Sequence, residues 1–152
     1  MPDHAYDTVV SKYPKYIQKE IREGRKNMRG AFMAYVTGSV EAAAFYGKAF
    51  HAQPKNCFKA SDKDDYYAHA EITINEHTIL GISEKACYDT AFTNGNNMQF
   101  WVTFDDEQSL TAAYKVLGER GEVHYPLSSC EWCGLAADIT DKYGVRWLLN
   151  ML

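Results

Sequence analysis

Residues 31–50 read AFMAYVTGSVEAAAFYGKAF, and residues 98–117 read MQFWVTFDDEQSLTAAYKVL. Each begins with about six β-branched, aromatic or apolar residues, breaks at a short polar or glycine-containing turn, and runs on as a helix. In the first copy, Gly38-Ser39 offers the turn and an N-cap for an apolar helix over residues 40–50. In the second, Asp105 is the expected cap, with Gln108 three residues on. Leu110, Tyr114 and Leu117 form the buried stripe there, and Gly121 the stop. Three strand-like runs follow each helix: residues 56–60, 67–74 and 78–83 in the first half, and 122–125, 135–140 and 145–150 in the second. The polar run SDKDD and the tight turn Asn75-Glu76-His77 divide the first three, and Asp141-Lys142-Tyr143-Gly144 makes the last hairpin. The pattern β-α-β-β-β thus occurs twice with little residue identity, which predicts an α+β fold of two βαβββ modules, residues 31–84 and 98–152. A module of this kind covers one sheet face with its helix and leaves the other open, so two modules together offer a cleft.

Residues 1–30 differ from the rest. They hold seven Lys/Arg against four Asp/Glu, whereas the remaining 122 residues hold nine against sixteen. Ile17 and Ile21 lie one helical turn apart within PKYIQKEIREGR, residues 14–25, predicting an N-terminal helical arm that lies on the domain or on a partner subunit. At 152 residues, 46% hydrophobic and 24% charged, the chain is long enough for one core and is not of disordered composition. Its net charge of −4 argues against a nucleic-acid binder. No apolar run spans a bilayer and the N-terminus lacks a signal-peptide pattern, so no membrane role and a cytoplasmic location are expected. By that reading Cys57, Cys87, Cys130 and Cys133 are reduced thiols.

Four stretches, EAAAFYGKAF, YAHAEITINEHTILGISE, NMQFWVTFDDEQSL and ADITDKYGVRWLLN, carry a resemblance to the vicinal oxygen chelate superfamily. Within it the chain resembles the PhnB-like branch of glyoxalase/bleomycin-resistance proteins, over about residues 31–152 and without the arm. DKYGVRW is the more specific signature, while the helix motif is common to the superfamily. The resemblance implies paired modules, frequently a homodimer, and a cleft that chelates a divalent metal or holds a small molecule. Catalytic relatives take metal ligands (His, Gln or Glu) from the first and last strand of each module. At those positions this chain offers no ligand in residues 31–35, none in 78–83, Gln99 at the third and Leu148 at the fourth. The inherited quartet is broken. No cofactor is therefore expected, and the chain reads as a metal-free small-molecule binder of the bleomycin-resistance type.

The alternative is a lyase, isomerase or dioxygenase with a relocated Zn, Ni, Mn or Fe site. Alternation puts His69, Glu71 and Thr73 on one face of their strand, so His69 and Glu71 with Gln99 are the candidate metal ligands or acid–base groups. These two side chains also suit plain cross-strand hydrogen bonding. Gln99, Trp101, Tyr35 and Trp132 are the candidate ligand-binding residues, from an aromatic set that also includes Phe58, Tyr125 and Trp147. Arg146 is expected to be solvated or to meet an anionic ligand. Cys130-x-x-Cys133 is half a zinc knuckle that His124 or Cys57 would have to complete, and otherwise a cleft-edge loop. No catalytic nucleophile stands out, since G-x-S-x-G, G-x-G-x-x-G and P-loop patterns do not occur.

Overall fold

The computed structural model describes Thr8, residues 11–19 and residues 30–152. Two compact units divide the chain, Met1–Gly30 and Ala31–Leu152. In the first, residues 15–19 are helical; the remainder of the predicted arm helix, residues 20–25, lies outside the described residues.

The second unit runs β1 (Phe32–Val36), α1 (Ser39–Ala49), β2 (Lys55–Phe58), β3 (His69–Ile74) and β4 (His77–Glu84). It continues through a 3-10 turn (Lys85–Cys87) to β5 (Phe100–Phe104), α2 (Glu107–Leu117), β6 (Glu122–Cys130), β7 (Cys133–Thr140) and β8 (Arg146–Met151). Both halves have one topology: the strand orders are β1-β4-β3-β2 and β5-β8-β7-β6, with β1 parallel to β4 and β5 parallel to β8. The duplicated βαβββ architecture is as expected.

Strand alternation decides what each face carries. Ala34, Val36, Ala70, Ile72, Leu80 and Ile82 are buried on the helix-covered side of the first sheet, and Ala137, Ile139, Trp147 and Leu149 on that of the second. One apolar core joins the modules. Phe32 stacks on Phe100 at 5.3 Å between ring centroids, and Phe50 meets Trp147 at 5.4 Å. A single buried carboxylate ties the first helix to the last hairpin. Asp141 Oδ2 accepts hydrogen bonds from Tyr46 Oη at 2.7 Å and Trp147 Nε1 at 2.9 Å, and its Oδ1 accepts the amides of Tyr143 and Val145. Burial raises the Asp141 pKa, and these four donors work against that shift.

Local details correct several expectations. Helix α1 begins one residue earlier than predicted, with Gly38 (φ 83°) as N-cap in place of Ser39. The capping group is the Glu84 carboxylate, whose Oε2 accepts the amides of Gly38 at 3.0 Å and Ser39 at 2.8 Å; an anion at a helix N-terminus is also favoured by the helix dipole. Asp106, not Asp105, caps α2, because its side chain is the one that reaches the Ser109 amide at 2.7 Å. That helix ends at Leu117 with Gly118 as C-cap; Gly121 serves instead where the chain grazes the Thr140 carbonyl, closer than a Cβ would permit. Strand β6 runs on to Cys130, five residues beyond the predicted end, and β7 starts two residues earlier. Pro126 sits within β6 without harm because β6 is a sheet edge.

Candidate functional site

The face of each sheet opposite its helix is where the polar and aromatic candidates gather. On the first sheet the register sets Phe58 beside His69, Glu71 beside Gly81, and Met33 and Tyr35 beside Gly81 and Ser83. Met33 Sδ occupies the space that a side chain at residue 81 would fill, with the His69 ring just beyond. The His69 ring stacks on Phe58 at 5.5 Å, and its Nε2 lies 2.8 Å from Glu71 Oε1. The other oxygen of Glu71 accepts from Asn56 Nδ2 at 2.7 Å and Thr78 Oγ1 at 3.0 Å. Asn56 reaches it from an irregular step in β2, where its backbone is left-handed (φ 49°). These bonds, that from His69 first, hold the Glu71 carboxyl below the usual range against a smaller opposing effect of burial. The expected pair is therefore brought together as an oriented carboxylate–imidazole dyad.

Gln99 is not part of it. It lies instead by Asp138 on the second sheet, where it adds to the effects that lower that carboxyl's pKa. Asp138 in turn receives both Arg146 Nε at 3.0 Å and Nη2 at 2.7 Å, a bidentate pair that keeps its pKa low. Arg146 is thus committed to a carboxylate rather than solvated. Among the described residues, no cluster of three or more His, Cys, Asp or Glu side chains is placed to hold a metal ion. The family's quartet does not fit the residues present. Strand β1 supplies no donor, Glu84 at the end of β4 is spent on the helix cap, and Leu148 pairs with Trp101 across the last strands.

The second sheet's open face holds a different constellation. Trp101 and Trp132 meet edge to face at 6.3 Å, although each is more than half exposed, at 59% and 57%. Beneath them Asn150 is fully buried. Its Oδ1 accepts Trp101 Nε1 and Thr103 Oγ1, both at 2.8 Å. An indole nitrogen only donates, so the amide oxygen must face it and the amide nitrogen must point away. That nitrogen is buried, and no acceptor meets it among the described residues. A buried donor without an acceptor costs about 1–3 kcal/mol, so the position favours an incoming carbonyl or other acceptor. Sequence reading missed Asn150. The signal was there in the alternation Arg146, Leu148, Asn150, which ends an apolar strand on a polar side chain.

The other aromatic candidates part company. Tyr35 packs against Tyr88 and Phe92, at 5.2 and 5.1 Å, beside a cavity of about 230 Å³ that Met98 and Arg146 also line. Tyr125 and Trp132 border a shallow cleft at the end of β6. Trp147 belongs to the core, being fully buried and bound to Asp141, because alternation turns it to the helix side.

The cysteines also depart from expectation. Cys130 and Cys133 are disulfide-bonded, not reduced, and they flank the two-residue tip of the β6–β7 hairpin rather than sitting in a loop. The register makes them direct cross-strand partners with Cα atoms 5.4 Å apart, which is the separation a disulfide needs. With both sulfurs bonded to each other, the zinc half-knuckle does not exist. Its suggested completions lie elsewhere: Cys57 is a free thiol on β2, and His124 Nε2 is 2.8 Å from Thr140 Oγ1.

No protein-family model matches the sequence, and a search of curated proteins finds no match. Solved structures do match in fold. Protein PA1353 from Pseudomonas aeruginosa superposes with a TM-score of 0.67 at 19% identity, over 82% of this chain and 97% of its own. The PhnB protein from Bacillus cereus gives 0.65 at 21% identity, over 82% and 100%. A member of the glyoxalase/bleomycin resistance protein/dioxygenase superfamily from Sphaerobacter thermophilus gives 0.55 at 15%, over 82% and 98%. At such identities the likeness speaks for the fold alone, and that fold is the one the sequence resemblance implied, that of PhnB-like structures within the glyoxalase/bleomycin-resistance/dioxygenase superfamily.

Proposed function

We propose that this protein binds a small planar molecule on the open sheet face of a homodimer, without the superfamily's metal quartet. The observation that carries the reading is Asn150, a fully buried amide whose oxygen is fixed by Trp101 and Thr103 and whose nitrogen has no acceptor among the described residues. Two indoles supply the faces on which a flat ligand stacks, and the amide supplies a donor for its carbonyl. The dimer is supported by exposure. Phe58 on the first sheet and Met98, Trp101, Tyr125 and Trp132 on or beside the second are all at least 45% exposed, large apolar side chains that a partner subunit would cover. A screen of aromatic ketones and heterocyclic lactams by thermal shift tests the reading. Hits that raise Tm, and lose that effect in Trp101→Ala, support it; an unresponsive protein across the screen overturns it. Sedimentation at twice the chain mass supports the dimer.

The His69–Glu71 dyad favours a second reading, a lyase, isomerase or dioxygenase with a divalent metal at a relocated site. The dyad offers one imidazole and one carboxylate already in contact, and a metal would need further donors from a neighbouring surface. Elemental analysis of protein purified without chelator tests it. Stoichiometric Zn, Ni, Mn or Fe that is lost in His69→Ala supports this reading, and metal content unchanged in that variant overturns it.

A further inference from the structure

We propose that the cavity beside Tyr35 is a second ligand site, one that takes a small aromatic carboxylate with its ring among Met33, Tyr35, Phe92 and Met98 and its charge at Lys85. The site stands independently of the second sheet's open face, since Trp101, Trp132 and Asn150 do not line it. It follows β1, the edge strand of the first sheet, and is bounded by the segment that joins the two modules and by the last hairpin turn. Met33, Tyr35 and Met98 are each at least 39% exposed, yet they border a concave space rather than open surface. Apolar groups left wet around a cavity are what an apolar ligand covers. The Tyr35 and Phe92 rings stand 5.1 Å apart at 34°, so that wall is aromatic. The volume of about 230 Å³ sets the size. An apolar cavity of about 150 Å³ already holds benzene, so one ring with a small substituent fits.

Charge selects as strongly as volume. Among the described residues that line the cavity, Lys85 and Arg146 are cations and none is a carboxylate. Arg146 is already committed, with Nε and Nη2 on Asp138 and Nη1 3.5 Å from the Asn96 carbonyl. Lys85 is not. It is half-buried at the start of the 3-10 turn after β4, and no carboxylate among the described residues pairs with it. Its Nζ stands 5.7 Å from the centre of the Phe92 ring. One uncommitted cation against an aromatic wall matches one negative charge on a flat apolar body, a monocarboxylate rather than a phosphate dianion. Lys85 also stands where that charge keeps some water. With Asn94, Tyr143 and Gly144 it lines a second cavity, of about 740 Å³. There Arg120 and Lys142 are taken by Glu41, at 3.4 and 2.6 Å, so they do not compete for the ligand. A carboxylate at Lys85 thus sits at the seam between an apolar chamber and a polar one, which avoids the cost of burying an ion outright. Asn94 packs on Gly144 at that seam, where a Cβ would lie 2.5 Å from its side-chain nitrogen, and its amide adds a neutral donor.

The test uses full-length protein labelled with carbon-13 at the methionine methyls, and benzoate as the probe. Met33 and Met98 line the cavity and report from inside it by nuclear magnetic resonance; Met151 does not line it and serves as the internal reference. Benzamide has the same shape without the charge. Both are titrated to about 10 mM, because a ligand of one ring binds weakly. Expected are saturable shifts of the Met33 and Met98 methyls, with benzoate binding at least about tenfold tighter than benzamide. Lys85→Gln should erase that preference and Lys85→Arg should keep it. Asn94→Asp provides a second variant at an exposed position, where folding is not at stake. It places a carboxylate beside Lys85, and should weaken benzoate at least about fivefold while leaving benzamide unchanged. Equal binding of acid and amide, or a preference that survives Lys85→Gln, overturns the assignment, as does parent-like benzoate affinity in Asn94→Asp. Benzoate that binds without moving either methyl, or does not bind at all, also overturns the site, and both results leave the Trp101–Asn150 face standing.

Discussion

Tyr46 and Asp141 share a hydrogen bond of 2.7 Å that is fully sheltered from solvent and spans ninety-five residues of sequence. It joins the two most recognisable stretches of the chain, FYGKAF and DKYGVRW, in one contact. The tyrosine comes from the first module's helix and the aspartate from the second module's last turn. Trp147 completes the arrangement from β8, and burial together with Asp141 raises the Tyr46 hydroxyl far above its ordinary pKa, so it remains a donor. A motif that looks like a family signature is here a mechanical coupling between halves.

Tyr46→Phe should therefore destabilise the protein by about 1.5–3 kcal/mol, the usual cost of removing a hydrogen bond to a buried charged group. Urea unfolding of the variant measures it. A loss below about 0.5 kcal/mol would show that the carboxylate finds another donor.

Glu76→Gly should stabilise the chain by about 0.5–1 kcal/mol. Asn75 and Glu76 form the two-residue turn between β3 and β4, and both have left-handed backbones, with φ of 49° and 65°. Such a turn is strained for glutamate and free for glycine. A lower Tm in the variant would mean that the Glu76 side chain has a compensating contact.

Gly121→Ala should cost about 1–3 kcal/mol, because the added methyl would meet the Thr140 carbonyl and force the β6–β7 register to shift. Gly95→Ala is the control, since the nearest atom there is the end of the flexible Asn97 side chain. Equal Tm values for the two variants would count against the close approach.

Asp138 and Glu71 both have lowered pKa values, so their charged forms are favoured by folding. Their contribution is complete above the unfolded carboxylate range, about pH 4, and drains away as pH falls through the lower folded values. Asp138→Asn should thus reduce stability at pH 7 and flatten the fall below about pH 4. An acid limb as steep as that of the parent would mean that other carboxylates dominate it.

Trp101→Ala should separate binding from folding. The ring is 59% exposed, so the loss in unfolding free energy should stay within about 1 kcal/mol, while the affinity for a planar ligand should fall at least tenfold. A large drop in Tm would instead make Trp101 a structural residue.

What the sequence could and could not disclose follows from the range of each interaction. Both helices and all eight strands of the second unit are legible because apolar alternation and helical spacing are local patterns, and burial enforces them. The ends of elements are not, where the deciding partner is remote: the cap of α1 is Glu84, on a strand that closes long after the helix begins. Strand β6 looked short because its second half, PLSSC, is polar, as an edge strand with one solvated face can be. The pairing of Cys130 with Cys133 depends on that missed extension. Asn150 was hidden for a related reason, since its value lies in Trp101 and Thr103 on a neighbouring strand. His69 and Glu71, two residues apart on one strand, were readable at once.

The parallel pairing of β1 with β4, and of β5 with β8, governs the order in which the molecule assembles. Phe32 must wait for Leu80, and Phe100 for Trp147, each nearly fifty residues further along. Long-range pairing of this kind slows folding, because the intervening chain must be ordered before the contact rewards it. During synthesis the first module can close once β4 has emerged, yet the Tyr46 hydroxyl stays without Asp141 until the final hairpin leaves the ribosome. A chain truncated before residue 141 would therefore hold a nearly complete first module with an exposed tyrosine and an unfinished core, a natural substrate for chaperones and proteases.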